Sequence, residues 1–536
     1  MSFKNNQNQQ ISLSDSFLNL NPRTQEMVRK SWASDFADIV FPAINEERFS
    51  VLYSSNSSSR PNNPVNVIIG ALILKESMGL SDDEIFASIC CDVRYQYALH
   101  TTSYEKQPIS DRTFSRFRER LYIHELETGE NLLQDEMMSL AETYTKYMNL
   151  HSNIKRMDSL MIASRCKRMS RLEIIYQTTA NAIRLIHRLG QDELIPSELL
   201  HYLDDDDYND VIYYCKGEDV TPQLEKTIKE AVTVREIMSD DIWHDSTEYQ
   251  LLVRVISEQS DDNGDGPKPK KNRDISSDSL QNPSDPDATY RSKAGKDHKG
   301  YVGNIVETIG EDGDGIITDV AYEENIHSDS DFCKEYLEKR PDNAEQETMI
   351  SDGAYSGEEN QNLAKAKNVE LITTALTGKN PDKILSGFQF SEDGCDIISC
   401  PKGHKPDKCS FYEKTGIYRV KFAKCCCAKC PHKEQCRAKE QSKSYVVQIS
   451  KNMVERAKYL EKLSTEEYME LTRKRNAVEG IMSVLRRKYR VDEIPTYGKL
   501  RSRVFFLFKI GAYNFNKLLR HQRRTRAKSA LLEAIA

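Results

Sequence analysis

Three acidic residues lie far apart in the sequence, in settings where a carboxylate can bind a metal ion. Asp352 ends a short apolar run and is followed by glycine, which places it at the C-terminal edge of a predicted strand. Asp158 lies inside the apolar run 154–164, where a carboxylate is costly unless it is neutralised or bound to a cation. Glu479 lies beside a predicted helical stripe. Carboxylate oxygens are the ligands that Mg²⁺ prefers.

Each of these acids also has a simpler structural explanation. Asp352-Gly is first of all a turn signal. Asp158 can cap an element or form a salt bridge, although its position in mid-strand makes this the poorer explanation. Glu479 can form a salt bridge with Arg475 four residues earlier, worth about 0.2–0.5 kcal/mol. The metal interpretation depends on all three converging in space.

The helix that carries Glu479 is predicted from its apolar spacing. Five apolar residues recur at i, i+3, i+4, i+7 and i+11: Val478, Ile481, Met482, Leu485 and Tyr489. Arg475, Glu479 and Arg486 follow a neighbouring line of the same helix. Guanidinium groups beside a metal-binding carboxylate are suited to phosphate, so Arg475, Arg486 and Lys488 are candidate DNA contacts.

A second group of residues with metal-binding chemistry is a cysteine block. Cys427 and Cys430 form a C-x-x-C pair, and Cys400 and Cys436 complete a predicted tetrahedral zinc site. Cys409, Cys425 and His404 are possible substitutes, and redox or unliganded thiols are the alternative. A site closed by four sulfurs has no open position, so this zinc is predicted to be structural.

The N-terminal part of the chain contains a candidate DNA-reading helix that starts at Ser110. Phe114, Phe117 and Leu121 fall on one face, and three arginines recur every four residues on another: Arg112, Arg116 and Arg120. An apolar face with a guanidinium row opposite is compatible with the reading helix of a helix-turn-helix. An ordinary surface helix is the alternative.

Length and composition limit the classes of protein to which the chain can belong. With 536 residues, several domains are expected. No apolar run is long enough to span a membrane, and thirteen cysteines without an export signal point to the cytoplasm. Net charge is −8, yet residues 486–528 carry fourteen Lys and Arg against two acids. This basic stretch is either a nucleic-acid footprint or a solvated helix.

The order of predicted elements after residue 150 indicates an α/β domain. Strand 154–164 is followed by helices, then by the hairpin 301–322, a helix near 329–339, the Asp352 strand, another helix and strand 369–374. This order predicts a mixed sheet interrupted by insertions.

At these residues the sequence resembles the DDE transposases of bacterial insertion sequences. Asp158, Asp352 and Glu479 fit the order of their catalytic triad, and the last helix resembles the family's Tyr-x2-Arg-x3-Glu-x6-Lys signature. Arg475, Glu479 and Arg486 match that signature, with arginine in place of lysine and Thr472 in place of tyrosine. The N-terminal helices, the approach at 285–290 and the Cys-rich insertion are similar to one subgroup.

The resemblance implies an RNase H-like catalytic domain of mixed α/β type, with helical and Cys-rich insertions and an all-α N-terminal DNA-binding domain. The expected domains are a polar segment (1–60), a helix-turn-helix-like domain (61–150), the catalytic domain (151–165, 285–378 and 451–515), a helical insertion (166–257), a flexible linker (258–284), a zinc-binding insertion (379–450) and a basic tail (516–536).

The resemblance also implies the chemistry. The three carboxylates would hold two Mg²⁺ or Mn²⁺ ions for in-line attack by water or a 3′-hydroxyl on a DNA phosphodiester. Double-stranded DNA, as transposon inverted-repeat ends and as target, is the expected partner, and pairing two ends predicts a homodimer. A non-catalytic DNA-binding protein derived from a transposase is the main alternative, and a structural zinc protein leaves the three acids unexplained. A tyrosine recombinase is excluded because no tyrosine follows Tyr513.

Overall fold

The computed structural model describes residues 1–536 except 7–14, 57, 111, 263–265, 294, 311–312, 375–379, 393 and 536. The α-helices are α1 (Pro22–Arg29), α2 (Trp32–Asp35), α3 (Val65–Met78), α4 (Asp82–Cys91), α5 (Val93–Ala98), α6 (Thr113–Thr128), α7 (Leu132–Tyr147), α8 (Arg171–Arg188), α9 (Val220–Ile237), α10 (Thr247–Gln259), α11 (Asp329–Lys339), α12 (Glu358–Ala366), α13 (Lys424–Ala428), α14 (Lys451–Leu463), α15 (Glu466–Asn476), α16 (Val478–Arg487) and α17 (Lys499–Ile535).

The strands are β1 (Ile154–Ala163), β2 (Ser260–Asp262), β3 (Pro267–Pro269), β4 (Thr289–Lys293), β5 (Lys296–Ile309), β6 (Gly315–Glu324), β7 (Glu347–Ser351), β8 (Val369–Thr373), β9 (Gln389–Phe390), β10 (Ile397–Ser399), β11 (Lys408–Tyr412), β12 (Ile417–Ala423), β13 (Lys439–Glu440) and β14 (Ser444–Ser450). The chain packs as two compact units. The first comprises residues 1–152, 159–328 and 482–536, and the second comprises 153–158 and 329–481.

The main sheet confirms the predicted mixed α/β class. Its strand order is β4-β5-β1-β7-β8, and β6 pairs with β5. Strands β4, β5 and β6 of the first unit are antiparallel, whereas β7 pairs in parallel with β8 and with the start of β1 in the second unit. The predicted hairpin and the strands around both aspartates are therefore present.

The helical part of the first unit is built around α3 and α17. Helix α3 is apolar on all sides and almost wholly buried, and it ends at Gly79 with a left-handed φ of 71°. A capping box starts α4: the side chains of Ser81 and Glu84 each accept a hydrogen bond from the other's backbone amide. The first half of α17 buries an apolar run, including Phe506, Leu507 and Ile510, and packs on α3, α7 and β6.

Two segments of the first unit are more ordered than the sequence predicts. The segment 1–60, predicted as polar, contains α1, α2 and short helical turns that bury Phe36, Val40 and Phe41. Residues 258–284, predicted as a flexible linker, contain the β2–β3 pair, and Leu280 packs in the core of the helical insertion. In both segments the buried side chains are apolar residues whose spacing is too irregular to form a periodic pattern. Residues 263–265 of that segment lie outside the described residues.

The Cys-rich insertion of the second unit is a small antiparallel sheet with strand order β11-β12-β14-β13. Alternate residues of β12, among them Tyr418, Val420 and Phe422, face an apolar core that also includes Val447 and Ile449. The predicted junction at 378–379 falls among residues 375–379, outside the described part of the chain.

Candidate functional site

The two aspartates lie level with each other on neighbouring parallel strands of the second unit. Strand β1 pairs with β7 so that Ile154, Lys155 and Arg156 face Thr348, Met349 and Ile350. Continuing the same register by two residues brings Asp158 level with Asp352, directly after β7. Adjacent strands lie about 4.8 Å apart, so the sheet itself places the two carboxylates side by side.

A single guanidinium joins all three predicted acids. Arg475, near the end of α15, has Nη2 at 3.4 Å from Asp158 Oδ2 and 3.8 Å from Asp352 Oδ2, and Nη1 at 3.6 Å from Glu479 Oε1. The Asp158 and Arg475 side chains are 13% and 15% exposed, that of Asp352 31% and that of Glu479 74%. The acids thus surround one cation, with Glu479 on the solvent side.

The carboxylates supply a donor set that suits a divalent ion. Asp352 Oδ1 accepts a hydrogen bond of 2.8 Å from the Ala354 amide, which leaves Oδ2 directed toward Arg475. Among the described residues, no three His, Cys, Asp or Glu side chains are already arranged around a metal position. Here the Arg475 guanidinium supplies the positive charge among the acids, so a metal would have to displace it.

Arg156 is a positioning residue that the sequence analysis did not identify. It is buried on β1, and its Nη1 donates a 2.6 Å hydrogen bond to the carbonyl of Lys474. This bond fixes the end of α15, and hence Arg475, against the strand that carries Asp158. The available signal was the spacing: Arg156 precedes Asp158 by two residues, which places both on the same face of the strand.

The helix predicted to carry Glu479 is divided into α15 and α16. The break falls at Ala477, whose carbonyl accepts a tight i+3 bond from the Gly480 amide. The apolar stripe packs as predicted, because Val478, Ile481 and Leu485 are all buried. Arg475 and Glu479 still form an ion pair across the break, as their i,i+4 spacing predicts.

Arg486 and Lys488 belong to the first unit and have local partners there. Arg486 Nη2 donates a 2.8 Å bond to the Met161 carbonyl, and its Nε lies 3.7 Å from Asp492 Oδ2. Burial, with a smaller contribution from Arg520, lowers the pKa of Lys488. Arg486 is still 44% exposed, so its role as a DNA contact stays a prediction.

A groove of about 940 Å³ begins at the loop after Asp352. Gly353 and Gly357 form one end of it, and Lys365, Lys451 and Arg456 line its length. Two acids, Glu358 and Glu455, line it as well. The groove therefore lies beside the loop after Asp352, and neither aspartate lines it.

The contact between Arg475 and the acids predicts a metal-dependent stability. In Arg475→Gln the converging carboxylates lose their shared counter-charge, so we expect the metal-free protein to lose about 2 kcal/mol of stability. Added Mn²⁺ should then raise the melting temperature of the variant more than that of the wild type. Thermal unfolding with and without Mn²⁺ measures both quantities.

The matched control is Arg473→Gln, two residues earlier on α15. Arg473 is exposed and forms no ion pair with any described residue, so its loss should change neither the melting temperature nor the response to Mn²⁺. Equal behaviour of the two variants would contradict the role assigned to Arg475.

The four predicted zinc ligands line one small cavity of the second unit, here called the cysteine cavity. The cavity has a volume of about 30 Å³, room for a single ion or water, and a fifth cysteine, Cys426, lines it together with His432. Tight turns orient the predicted ligands, since the Cys430 amide bonds the Cys427 carbonyl and the Gly403 amide bonds the Cys400 carbonyl.

The cysteine cavity contains the residue types of a zinc site. Burial, with the neighbouring thiols adding to it, raises the pKa of Cys427 and of Cys436 to about 11, so only a bound cation would make them thiolates at neutral pH. His404 also lines the cavity, as one predicted substitute, whereas Cys409 and Cys425 do not. Four sulfurs would be the donor set of a structural zinc site, although among the described residues these thiols are not already arranged around a metal position.

The three N-terminal arginines do not form one row on α6. Arg112 precedes the helix as its N-cap residue and is exposed. Arg116 and Arg120 face a cavity together with Arg60. The predicted apolar face is correct, because Phe114, Phe117 and Leu121 are buried. Helix α5 ends at Ala98 and α6 begins at Thr113.

Much of the basic C-terminal stretch is used inside the first unit. On α17, Arg501, Arg503 and Lys509 pair with Glu119, Glu125 and Glu76. Further along, Arg524 pairs with Asp314, and Arg526 pairs with Asp35. These pairs hold α17 in place, and they leave Arg520 and Arg523 among its exposed cations.

Comparison with known families identifies the class. The model of the transposase domain DUF772 matches residues 25–120, and that of the transposase DDE domain matches residues 399–519. The second match includes the cysteine cavity and Glu479 but begins after Asp352. Curated proteins and solved structures gave no match.

Both matching models describe transposase domains. The matches indicate a DDE transposase of the insertion-sequence type, whose catalytic domain has the RNase H-like fold. The family acts on DNA and uses divalent metal. In the described part of the chain, the helices are all too short or too polar to cross a bilayer.

Proposed function

We propose that this transposase binds the inverted-repeat ends of an insertion sequence and catalyses their Mg²⁺-dependent cleavage and strand transfer. Asp158, Asp352 and Glu479 are the proposed ligands of two Mg²⁺ or Mn²⁺ ions. We further expect a zinc ion in the cysteine cavity, a homodimer that pairs two ends, and activity in the cytoplasm.

The observation that carries this proposal is the contact of Arg475 with all three acids. Segments that are more than a hundred residues apart in sequence bring their carboxylates within 4 Å of one guanidinium. Three acids gathered on the surface by chance would repel one another. Their convergence around one cation supports a site for divalent metal, whose carboxylate ligands also gather around positive charge.

Each residue has a separate role in the proposed reaction. Asp158 and Asp352 are held side by side by the sheet, whereas the exposed Glu479 can adjust as substrate enters. Bound Mg²⁺ ions would activate the attacking oxygen and stabilise the leaving oxygen. Arg475, once displaced from the acids, has its fork of donors free for the negative charge of the attacked phosphodiester.

The arrangement of charges also supports a DNA strand as substrate. The groove that leads from the Asp352 loop carries Lys365, Lys451 and Arg456, which would neutralise consecutive phosphates. No side-chain nucleophile is required, because water or a DNA 3′-hydroxyl attacks in line.

Metal dependence provides the test. Protein prepared without added divalent metal is incubated with linear DNA that carries the element's own terminal repeats. We expect no cleavage until Mg²⁺ or Mn²⁺ is added, and then cleavage at the repeat boundaries.

Two results would count against the proposal. A cleavage rate that does not depend on added metal would exclude the metal site. Specific binding of the repeats without cleavage under any metal condition would favour the alternative, a DNA-binding protein derived from a transposase.

A further inference from the structure

Three arginines of the first unit converge on one cavity, here called the arginine cavity. It has a volume of about 110 Å³ and is lined by Arg60, Arg116 and Arg120, together with polar groups of Asn63 and Thr113. Arg60 lies in the loop before α3, and the other two lie one turn apart on α6. Ligand pockets for whole small molecules occupy about 300–1,000 Å³. The arginine cavity is therefore sized for a single chemical group.

The positive charge in this cavity is not neutralised locally. Within the described part of the chain, no carboxylate forms an ion pair with Arg60, Arg116 or Arg120, and none lines the cavity. Arg118 on the same helix differs, since its guanidinium forms bonds of 2.6–2.9 Å with Asp82. Three like charges around one small space repel one another. An anion in the cavity would relieve that repulsion.

Two of the side chains that line the arginine cavity are held by neighbours, whereas Arg60 and Arg116 are exposed. Arg120 donates to the Leu52 carbonyl at 3.3 Å, and its guanidinium lies 4.5 Å from the centre of the Tyr53 ring. Asn63 Nδ2 donates to Thr113 Oγ1 at 3.0 Å, which ties the loop before α3 to the start of α6. Donors held in this way bind a ligand at a lower entropic cost.

We propose that the arginine cavity binds one phosphate group of DNA. Guanidinium forks match the oxygens of phosphate in pairs, and three of them around one group supply charge and geometry together. A phosphate contact positions the protein on DNA but does not read the base sequence. Arg116 and Arg120 would then contact the sugar-phosphate backbone of DNA, and α6 would not read base edges in the major groove.

This inference rests on the proposed function for the identity of the polymer, because a transposase acts on DNA. The phosphate could be an internal phosphodiester or the 5′-terminal phosphate of a cleaved end. The two share their chemistry, and the length and end chemistry of the DNA distinguish them.

The test measures the affinity of the full-length protein for a mixed-sequence duplex by fluorescence anisotropy, at several salt concentrations and without added divalent metal. We expect Arg60→Ala and Arg116→Ala each to weaken binding about tenfold. Each should also reduce the slope of the logarithm of the binding constant against the logarithm of salt concentration by about one, because one fewer counterion is released. Inorganic phosphate should compete with the duplex for the wild type more effectively than for either variant.

The matched control is Arg23→Ala, in the first turn of α1. Arg23 is exposed, has no ion pair with a described residue and does not line the cavity. Comparing duplexes with 5′-phosphate and 5′-hydroxyl ends locates the ligand. An equal loss on both supports an internal phosphodiester, and a loss confined to the phosphorylated duplex supports the terminal phosphate.

Affinities of Arg60→Ala and Arg116→Ala equal to that of Arg23→Ala would overturn the inference. This failure differs from a failure of the proposed function. An enzyme that never cleaves but whose DNA affinity depends on Arg60 and Arg116 would retain the arginine cavity and lose the proposed reaction.

Discussion

Asp352→Asn is expected to lower the rate of DNA-end cleavage by about 10³-fold or more, which corresponds to about 4 kcal/mol of transition-state stabilisation. An amide cannot supply the negative charge that holds a divalent ion. The substitution should leave the fold intact, because the asparagine oxygen can still accept the hydrogen bond that Asp352 Oδ1 receives from Ala354. Single-turnover cleavage of DNA with the element's ends measures the rate.

The matched control is Glu359→Gln on α12, in the segment that follows Asp352. Glu359 is 73% exposed and pairs with Lys334 at the surface, so its loss should cost at most about 1 kcal/mol and leave cleavage unchanged. DNA affinity should be similar in both variants and the wild type. Cleavage by Asp352→Asn at the wild-type rate would refute the catalytic role of this acid.

The same substitution at the other two acids is expected to separate their roles. Asp158 is the most buried of the three and lies on the strand itself, so Asp158→Asn should be as severe as Asp352→Asn. Glu479 is mostly exposed, so Glu479→Gln should cost less stability than Asp158→Asn, while its loss of a metal ligand should still lower cleavage.

The elements that carry the acids could be predicted from local pattern, but their alignment could not. Apolar runs predicted the strands around Asp158 and Asp352, and the apolar stripe at helical spacing predicted the burial of Val478 and Leu485. The pairing register between β1 and β7 joins distant segments, and no local signal specifies it. The family resemblance supplied the expectation that the acids converge.

Arg475 has contacts that its local sequence does not predict. Its spacing from Glu479 predicted both a salt bridge and a phosphate contact, and the bridge is present. Its further contacts with Asp158 and Asp352 depend on the bond between Arg156 and the Lys474 carbonyl, which is a tertiary contact. The break at Ala477 was also missed, because the apolar stripe continues through it in register.

The burial in residues 1–60 was missed for a related reason. Phe36, Val40 and Phe41 are buried, but they follow short helical turns whose periods change from one turn to the next. A pattern search at 3.6 residues per turn does not detect such a segment. Tertiary packing, not local periodicity, decides its structure.

Loss of zinc is expected to have the second large effect, on the stability of the Cys-rich insertion. The purified protein should contain about one zinc ion per chain, and Cys427→Ser should abolish its retention. Structural zinc contributes about 10 kcal/mol or more to the folding of zinc-finger peptides. The insertion also has an apolar core around Val420 and Phe422, so it should loosen locally without unfolding completely.

The measurements for this prediction are metal analysis and limited proteolysis of the full-length protein. We expect Cys427→Ser to lose the ion and to be cleaved within 400–436 about tenfold faster or more, since about 1.4 kcal/mol of local stability corresponds to a factor of ten. Cys90→Ser is the control, because Cys90 is an exposed thiol outside the second unit. Cys425→Ser tests a predicted substitute ligand, and it should keep its zinc because Cys425 does not line the cysteine cavity. A wild-type protein without zinc would show that these cysteines serve packing alone, and a Cys427→Ser variant that retains zinc would exclude Cys427 as a ligand.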